Sequence, residues 1–218
     1  GDEPGARSAK AEEYDGSSWT EVGDLNTTRA SIAGMGTQTA GLAAGGRSSP
    51  TASTDASEEW NGTAWTEGNN LNISRYSISN KGSGTQTAGL CAGGNQRFSP
   101  SAPPNYANDT EEYDGTSWTE ATNMPINIES GGGIGTQTAA GHWGGYNGTS
   151  YVATGLLYDG TNWTATTNLP SNGGSFGESG TTTNGLIFGI YDGSSYTANT
   201  LSWDGSAWTE VNDLATAR

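Results

Sequence analysis

The sequence predicts an all-β protein, a β-propeller of four-stranded blades, four to five in number, with about 45 residues per repeat. Three observations carry this. A hairpin motif rich in Tyr and Trp recurs five times, a hairpin motif of small residues alternates with it, and no stretch reads as a helix.

The aromatic motif first appears as Tyr14-Asp15-Gly16-Ser17-Ser18-Trp19-Thr20-Glu21. It returns as Trp60-Asn61-Gly62-Thr63-Ala64-Trp65, Tyr113-Asp114-Gly115-Thr116-Ser117-Trp118, Tyr158-Asp159-Gly160-Thr161-Asn162-Trp163 and Trp203-Asp204-Gly205-Ser206-Ala207-Trp208. Its second aromatic falls at positions 19, 65, 118, 163 and 208, spaced by 46, 53, 45 and 45 residues. A fixed period of this size marks one supersecondary unit that cannot bury its faces alone. The Asx-Gly pair at the centre is a strong short-range hairpin signal, because both residues tolerate positive φ.

The second motif reads Gly36-Thr37-Gln38-Thr39-Ala40-Gly41-Leu42, with copies at 84–94 and 135–145 and a degenerate copy at 180–189. In one unit, residues 30–35 form a short small-residue strand, 36–38 a turn and 39–44 a second strand ended by Gly45-Gly46. A polar loop of variable length follows. Residues 58–60 form a third strand, Asn61-Gly62 a turn, and 64–67 a fourth strand. Gly is spread throughout, and no apolar stripe at 3.6 spacing outlasts one turn, so helices are not expected. Four antiparallel strands in about 45 residues is the arithmetic of a propeller blade.

The order of Arg, strand, turn, strand, Gly-Gly, loop, Tyr-Asp, turn and Trp-Thr resembles the kelch repeat. Arg29, Gly45-Gly46, Trp60 and Trp65 carry the resemblance in the first unit, and Arg75, Gly93-Gly94, Tyr113 and Trp118 in the second. Gly144-Gly145, Tyr158 and Trp163 carry it in the third, where Ile128 stands about where Arg is expected. In the fourth only Trp203 and Trp208 match. The near-identical Gly-Thr-Gln-Thr segments are also similar to repeats in phage and marine microbial surface proteins. The resemblance implies a propeller and says little about activity.

The chain reads as one domain, 1–218, made of a half-blade at 1–26 and repeats at 27–72, 73–125, 126–170 and 171–215. Five aromatic hairpins meet only four small-residue hairpins. The half-blade therefore wants an inner partner. That partner could follow Arg218, come from a neighbouring subunit, or be dispensable if the hairpin packs outside a four-bladed ring. Five-blade geometry, incomplete within this chain or completed by an extra copy elsewhere, is the favoured expectation. The chain begins at Gly1 rather than Met, which implies removal of whatever preceded it.

Eight basic residues against twenty-three acidic give a net charge of −15. Nucleic acid is not expected as a partner, since phosphate contacts need Lys and Arg. No apolar run reaches membrane-spanning length, so no membrane insertion is expected. A single cysteine, Cys91, permits no intrachain disulfide. Thirty-one per cent hydrophobic residues is low, but eight Trp and nine Tyr, mostly at recurrent positions, argue for a thin aromatic core rather than disorder.

No cofactor and no metal site is expected. His142 is the only histidine and takes the strand position that Ala43 and Cys91 hold in other repeats, so a zinc or copper site lacks ligands. The Asp-Gly turns are explained by turn formation, each offering one carboxylate where a calcium loop needs several oxygens. Glu12-Glu13, Glu58-Glu59 and Glu111-Glu112 sit at equivalent repeat positions, which symmetry spreads apart rather than facing across one cleft; they read as a solvated strand face. Aromatics outside the repeat pattern are the candidate ligand-binding residues: Phe98, Tyr106, Trp143 and Tyr146. Tyr146 and Tyr151 belong to a loop hairpin echoed at Tyr191 and Tyr196. Phe98 and Tyr106 lie in a loop lengthened and stiffened by Pro100, Pro103 and Pro104.

These features point to a non-enzymatic structural or adhesive propeller, extracellular, at a cell surface or on a virion. Its expected partners are other protein subunits, through self-assembly or a larger assembly, with a receptor or glycan as ligand. The alternatives are an intracellular kelch-type protein-interaction module and, behind it, a glycan-active propeller enzyme.

Overall fold

The computed structural model of the chain describes residues 2–3, 6–97 and 106–218. All regular structure there is β. At the N-terminus β1 (Asp2–Glu3) pairs with β2 (Ala6–Arg7), and β3 (Glu12–Tyr14) pairs with β4 (Trp19–Glu21). Next come β5 (Ala33–Thr37) and β6 (Ala40–Ala44), a small hairpin of β7 (Arg47–Ser49) and β8 (Ala52–Ser53), then β9 (Ser57–Trp60) and β10 (Trp65–Glu67). The order β5-β6-β9-β10 makes blade 1. Blade 2 is β11 (Ser83–Thr85), β12 (Ala88–Asn95), β13 (Tyr106–Tyr113) and β14 (Trp118–Ala121). Blade 3 is β15 (Gly132–Thr136), β16 (Ala139–Trp143), β17 (Gly155–Tyr158) and β18 (Trp163–Thr166). Blade 4 is β19 (Gly177–Thr181), β20 (Asn184–Phe188), β21 (Thr200–Trp203) and β22 (Trp208–Val211).

These four antiparallel sheets form a four-bladed β-propeller. The chain thus builds four complete blades, one for each small-residue hairpin, within the expected four to five. The first aromatic hairpin, β3–β4, pairs with no third strand among the described residues. A cavity of about 350 Å³ lies between it and blade 1.

The aromatic turns follow the chemistry of their Asx residue. Asp114 Oδ1 accepts from the Thr116 and Ser117 amides, both at 2.8 Å. Asp15, Asn61, Asp159 and Asp204 do the same in their own turns. These amide bonds hold the four aspartates below the usual carboxylate range. The inner turn was expected at 36–38 but falls at Gln38 and Thr39, because β5 runs on to Thr37, which pairs with Ala40. Gly36 makes this possible: at φ +103° any side chain there would collide with the Ala40 carbonyl.

Three apolar clusters fill the three junctions between consecutive blades. Leu42, Ile78, Cys91, Tyr113 and Trp118 join blades 1 and 2. Leu90, Ile128, Leu156, Tyr158 and Trp163 join blades 2 and 3, and Trp143, Phe176, Ile187, Leu201 and Trp203 join blades 3 and 4. Full burial of Leu42 or Leu90 is worth about 2 kcal/mol each. The cysteine thiol at one junction is pushed up to about 12 by burial.

Glu12 lies on an exposed strand, but two of the three glutamate pairs are not a solvated strand face. Glu58 and Glu111 are fully buried. Glu58 meets Arg29 at 3.0 Å, and Glu111 meets Arg75 at 2.7 Å. The second oxygen of each accepts from a linker asparagine, Asn26 or Asn72, through both its backbone and its side-chain nitrogen. Arg29 also donates to the Gly45, Ala56 and Ala43 carbonyls, and Arg75 to those of Gly93 and Asp109. Donors surround each carboxylate and replace the water it has lost, which is how a buried charge is tolerated. In blade 3 the same three places hold Pro125, Ile128 and Leu156, and in blade 4 Pro170, Gly173 and Leu201. Asn, Arg and Glu are thus replaced together. Proline has no amide to satisfy, and Ile128 and Leu156 share one apolar cluster.

Near the axis, Ser31, Ser77, Ser130 and Ser175 precede the four inner strands, all with φ between +48° and +57°. That left-handed conformation turns each amide toward the blade before it. Ser77 N donates to Ser31 O at 3.0 Å, Ser130 N to Ser77 O at 3.1 Å, and Ser175 N to Ser130 O at 2.7 Å. Ser31 and Ser175, at the ends of this ladder, are not joined to each other by a fourth such bond. The di-glycines lock the adjoining turn: a Cβ on Gly45, at φ +63°, would lie 2.6 Å from the Arg75 carbonyl.

Candidate interaction surface

The loops joining the second and third strands of the blades gather beside the axial serines. Short bridges place Arg47 opposite Ala30, Asn95 opposite Tyr76, Tyr146 opposite Glu129, and Tyr191 opposite Gly174. Blades 3 and 4 then close their loops with matching miniature hairpins. Tyr146 pairs with Tyr151 around an Asn147-Gly148 turn, and Tyr191 with Tyr196 around Asp192-Gly193. Four amide and hydroxyl bonds from Ser194 and Ser195 hold Asp192 down at about 2.

This arrangement lines up five tyrosines. Tyr106 lies 5.7 Å from Tyr146, Tyr146 5.3 Å from Tyr151, Tyr151 5.3 Å from Tyr191, and Tyr191 4.9 Å from Tyr196. Ring planes are tilted or edge-on throughout, the geometry that aromatic quadrupoles prefer. The row runs from half-buried Tyr106 to Tyr196, which is 53% exposed. Burial, then Tyr191, raises the Tyr151 phenol, against a hydrogen bond with Ser175. Burial, then Glu129, raises that of Tyr106. Glu129 itself is raised by burial, against a hydrogen bond from Asn95. These phenols stay neutral at physiological pH and can both donate and accept. Beyond the Tyr106 end, Arg47 stacks on Tyr76 at 5.4 Å. Beside the row a cavity of about 280 Å³ is lined by Ser31, Ser77, Ser130, Ser175, Ile32, Ile78 and Lys81. Lys81 reaches across it to Glu178 at 3.0 Å.

Of the four candidate residues, the structure brings two together, Tyr106 and Tyr146. Phe98 and the proline loop lie outside the described residues. Trp143, the remaining ligand-binding candidate, is a core residue: it is fully buried, 5.1 Å from both Trp203 and Trp208, and donates Nε1 to the Thr167 carbonyl at 3.0 Å. Gly155 opposite makes the room; a Cβ there would stand 2.6 Å from the indole nitrogen. His142 is likewise buried, its Nδ1 3.5 Å from Ser79 Oγ, and burial lowers it to about 4. Tyr151, Tyr191 and Tyr196 were readable as an echoed loop hairpin; that the two hairpins abut and continue the row is a matter of blade packing.

Among the described residues no three His, Cys, Asp or Glu side chains gather as a metal site would require. The Asp-Gly carboxylates are occupied by their own turns. No family model matches the sequence, and no curated protein matches it.

Proposed function

We propose that the protein is a non-enzymatic binding propeller that works outside the cell, at a cell surface or on a virion, and takes glycan on its tyrosine row. The observation carrying this reading is the unbroken file of five tyrosines beside the axial serine cavity. Aromatic faces cover the apolar face of a sugar ring, while phenol and serine hydroxyls exchange hydrogen bonds with its hydroxyls. The kelch-like pattern supports a scaffold role for the rest of the repeat: Arg ties the linker to its own blade, and Gly-Gly and the Tyr/Trp pair pack against the next repeat or the one before. The charge of −15 favours neutral or cationic ligands over phosphate-rich ones.

Saturation-transfer NMR against a panel of neutral oligosaccharides tests it. The expected result is transfer to ring protons, lost in Tyr196→Ala and Tyr146→Ala with the thermal midpoint of Tyr196→Ala unchanged. Absence of transfer from every sugar at millimolar concentration, or transfer unaffected by both substitutions, would overturn the reading.

A further inference from the structure

Consecutive blades are fastened by one repeated set of contacts. Trp118 Nε1 of blade 2 donates to Ser57 Oγ of blade 1 at 3.3 Å, and Trp163 Nε1 of blade 3 to Thr110 Oγ1 of blade 2 at 3.1 Å. Tyr113 and Tyr158 donate across the same junctions to Glu59 and Glu112. From the other direction, Gln86 Nε2 grips the Trp60 carbonyl at 2.7 Å and Gln137 Nε2 the Tyr113 carbonyl at 2.8 Å. Each aromatic hairpin therefore has a rear, held by the glutamine of the next blade, and a front, set against the blade before.

The first hairpin has its rear in place. Gln38 Nε2 donates to the Tyr14 carbonyl at 3.1 Å, the bond Gln86 and Gln137 make one and two blades on. Its front is bare. Tyr14 and Trp19 stack at 5.2 Å as in the other hairpins, yet Trp19 is 65% exposed where Trp118 is 5%. Blade 4 is the reverse case. Its Thr200 stands at the position of Ser57 and Thr110, with its hydroxyl buried and unpartnered. Val211, at the position of Gly68 beneath the Tyr113 hydroxyl, is exposed, and so is Leu186, at the position of buried Leu42 and Leu90. The other two junctions lack the acceptor: Ala11 and Gly155 stand there, and Trp65 and Trp208 Nε1 are unpaired. One acceptor, Thr200, thus lacks a donor, and one indole, Trp19, is presented outward.

We infer that the first hairpin of one molecule docks on blade 4 of a second copy, with Trp19 Nε1 donating to Thr200 Oγ1 and the Tyr14 ring over Val211. The second copy is the occupant because the missing pieces on the two faces are those the chain already matches at its own junctions. The contact joins two different faces, so it is heterologous and adds molecules head to tail, into a ring if the rotation closes and a filament if it does not. It is independent of the tyrosine row and of any glycan.

Sedimentation velocity on the 218-residue chain is the test, with two surface variants. Trp19→Ala removes the donor face and keeps blade 4, while Val211→Lys spoils blade 4 and keeps the hairpin. Wild type is expected to sediment faster as concentration rises, and each variant to stay monomeric. An equimolar mixture of the two is expected to form a dimer and nothing larger, since only one productive pairing remains. A wild type monomeric at every concentration, association that survives either substitution, or a mixture that stays monomeric would each overturn the inference.

Discussion

Arg29 and Glu58 meet at 3.0 Å with neither side chain open to solvent, 29 residues apart in the chain. Arg75 and Glu111 repeat the arrangement one blade on, while Ile128 and Leu156 occupy the same two places in blade 3. Removing one partner of a buried pair strands the other charge, at a cost of about 3–5 kcal/mol, whereas exchanging the whole set for well-packed hydrocarbon is near neutral. Arg29→Ile and Glu58→Leu should therefore each destabilise by about that amount. Asn26→Pro/Arg29→Ile/Glu58→Leu, which copies blade 3, should return to within about 1–2 kcal/mol of wild type. Urea denaturation of the four proteins checks this; a triple variant as weak as the worst single one would contradict it.

Gln137 clamps blade 3 to blade 2 through the Gly89 and Tyr113 carbonyls at 3.1 and 2.8 Å. Blade 4 has Thr182 at this position, and a cavity of about 360 Å³ lined by Thr138, Tyr158 and Thr182 lies beside it. Gln137→Ala should cost about 1–3 kcal/mol, while Thr182→Gln should gain about 1 kcal/mol by adding the missing clamp. Thermal melts of both variants would show shifts of opposite sign.

His142 makes stability depend on mildly acidic pH. Burial lowers its folded pKa to about 4 from an ordinary value near 6.5, so the neutral ring is the folded form. Between those values the unfolded chain binds the proton and the folded one does not. Stability is then full above about pH 6.5 and falls as pH drops toward 4, by at most about 3 kcal/mol. His142→Ala starts less stable, from the cavity it leaves, but should show a flatter profile across that window. Equal slopes in the two proteins would exclude His142 as the cause.

Tyr158 gives the opposite dependence at alkaline pH. Burial, then its bond to Glu112 at 2.8 Å, raises its folded pKa well above 10. Its contribution is present below the unfolded pKa near 10 and is lost as pH rises beyond it. Tyr158→Phe should lose about 1 kcal/mol at pH 7 and decline less steeply between pH 10 and 11. Chemical denaturation at pH 7, 10 and 11 measures both.

Most of the scaffold is local and so is legible in the sequence alone. Asx-Gly turns, di-glycines and the spacing of Trp19, Trp65, Trp118, Trp163 and Trp208 depend on residues close in sequence. What escaped depends on partners far along the chain. Glu58 and Glu111 looked like surface charges because their arginines and asparagines lie on the linkers 29 to 39 residues upstream. Trp143 read as a ligand-binding candidate because the room that buries it comes from Gly155 on the neighbouring strand. Of the tyrosine row, the two loop hairpins were readable, but their abutment arises from blade packing. Blade number was undecided by sequence for the same reason, since repeats count hairpins and not the angle between them.

The exchange of Asn-Arg-Glu in the first two blades for Pro-Ile-Leu in blade 3 and Pro-Gly-Leu in blade 4 has a thermal consequence. Hydrocarbon packing loses strength on cooling, because the hydration it avoids becomes less costly. The penalty for dehydrating ion pairs shrinks on warming. The two halves of this chain therefore have their best temperatures at different places, the arginine-bearing blades gaining on heating relative to the isoleucine and leucine blades. Refrigeration should loosen the C-terminal blades first, and amide exchange near Leu156 and Leu201 is where a cold-sensitive seam would show.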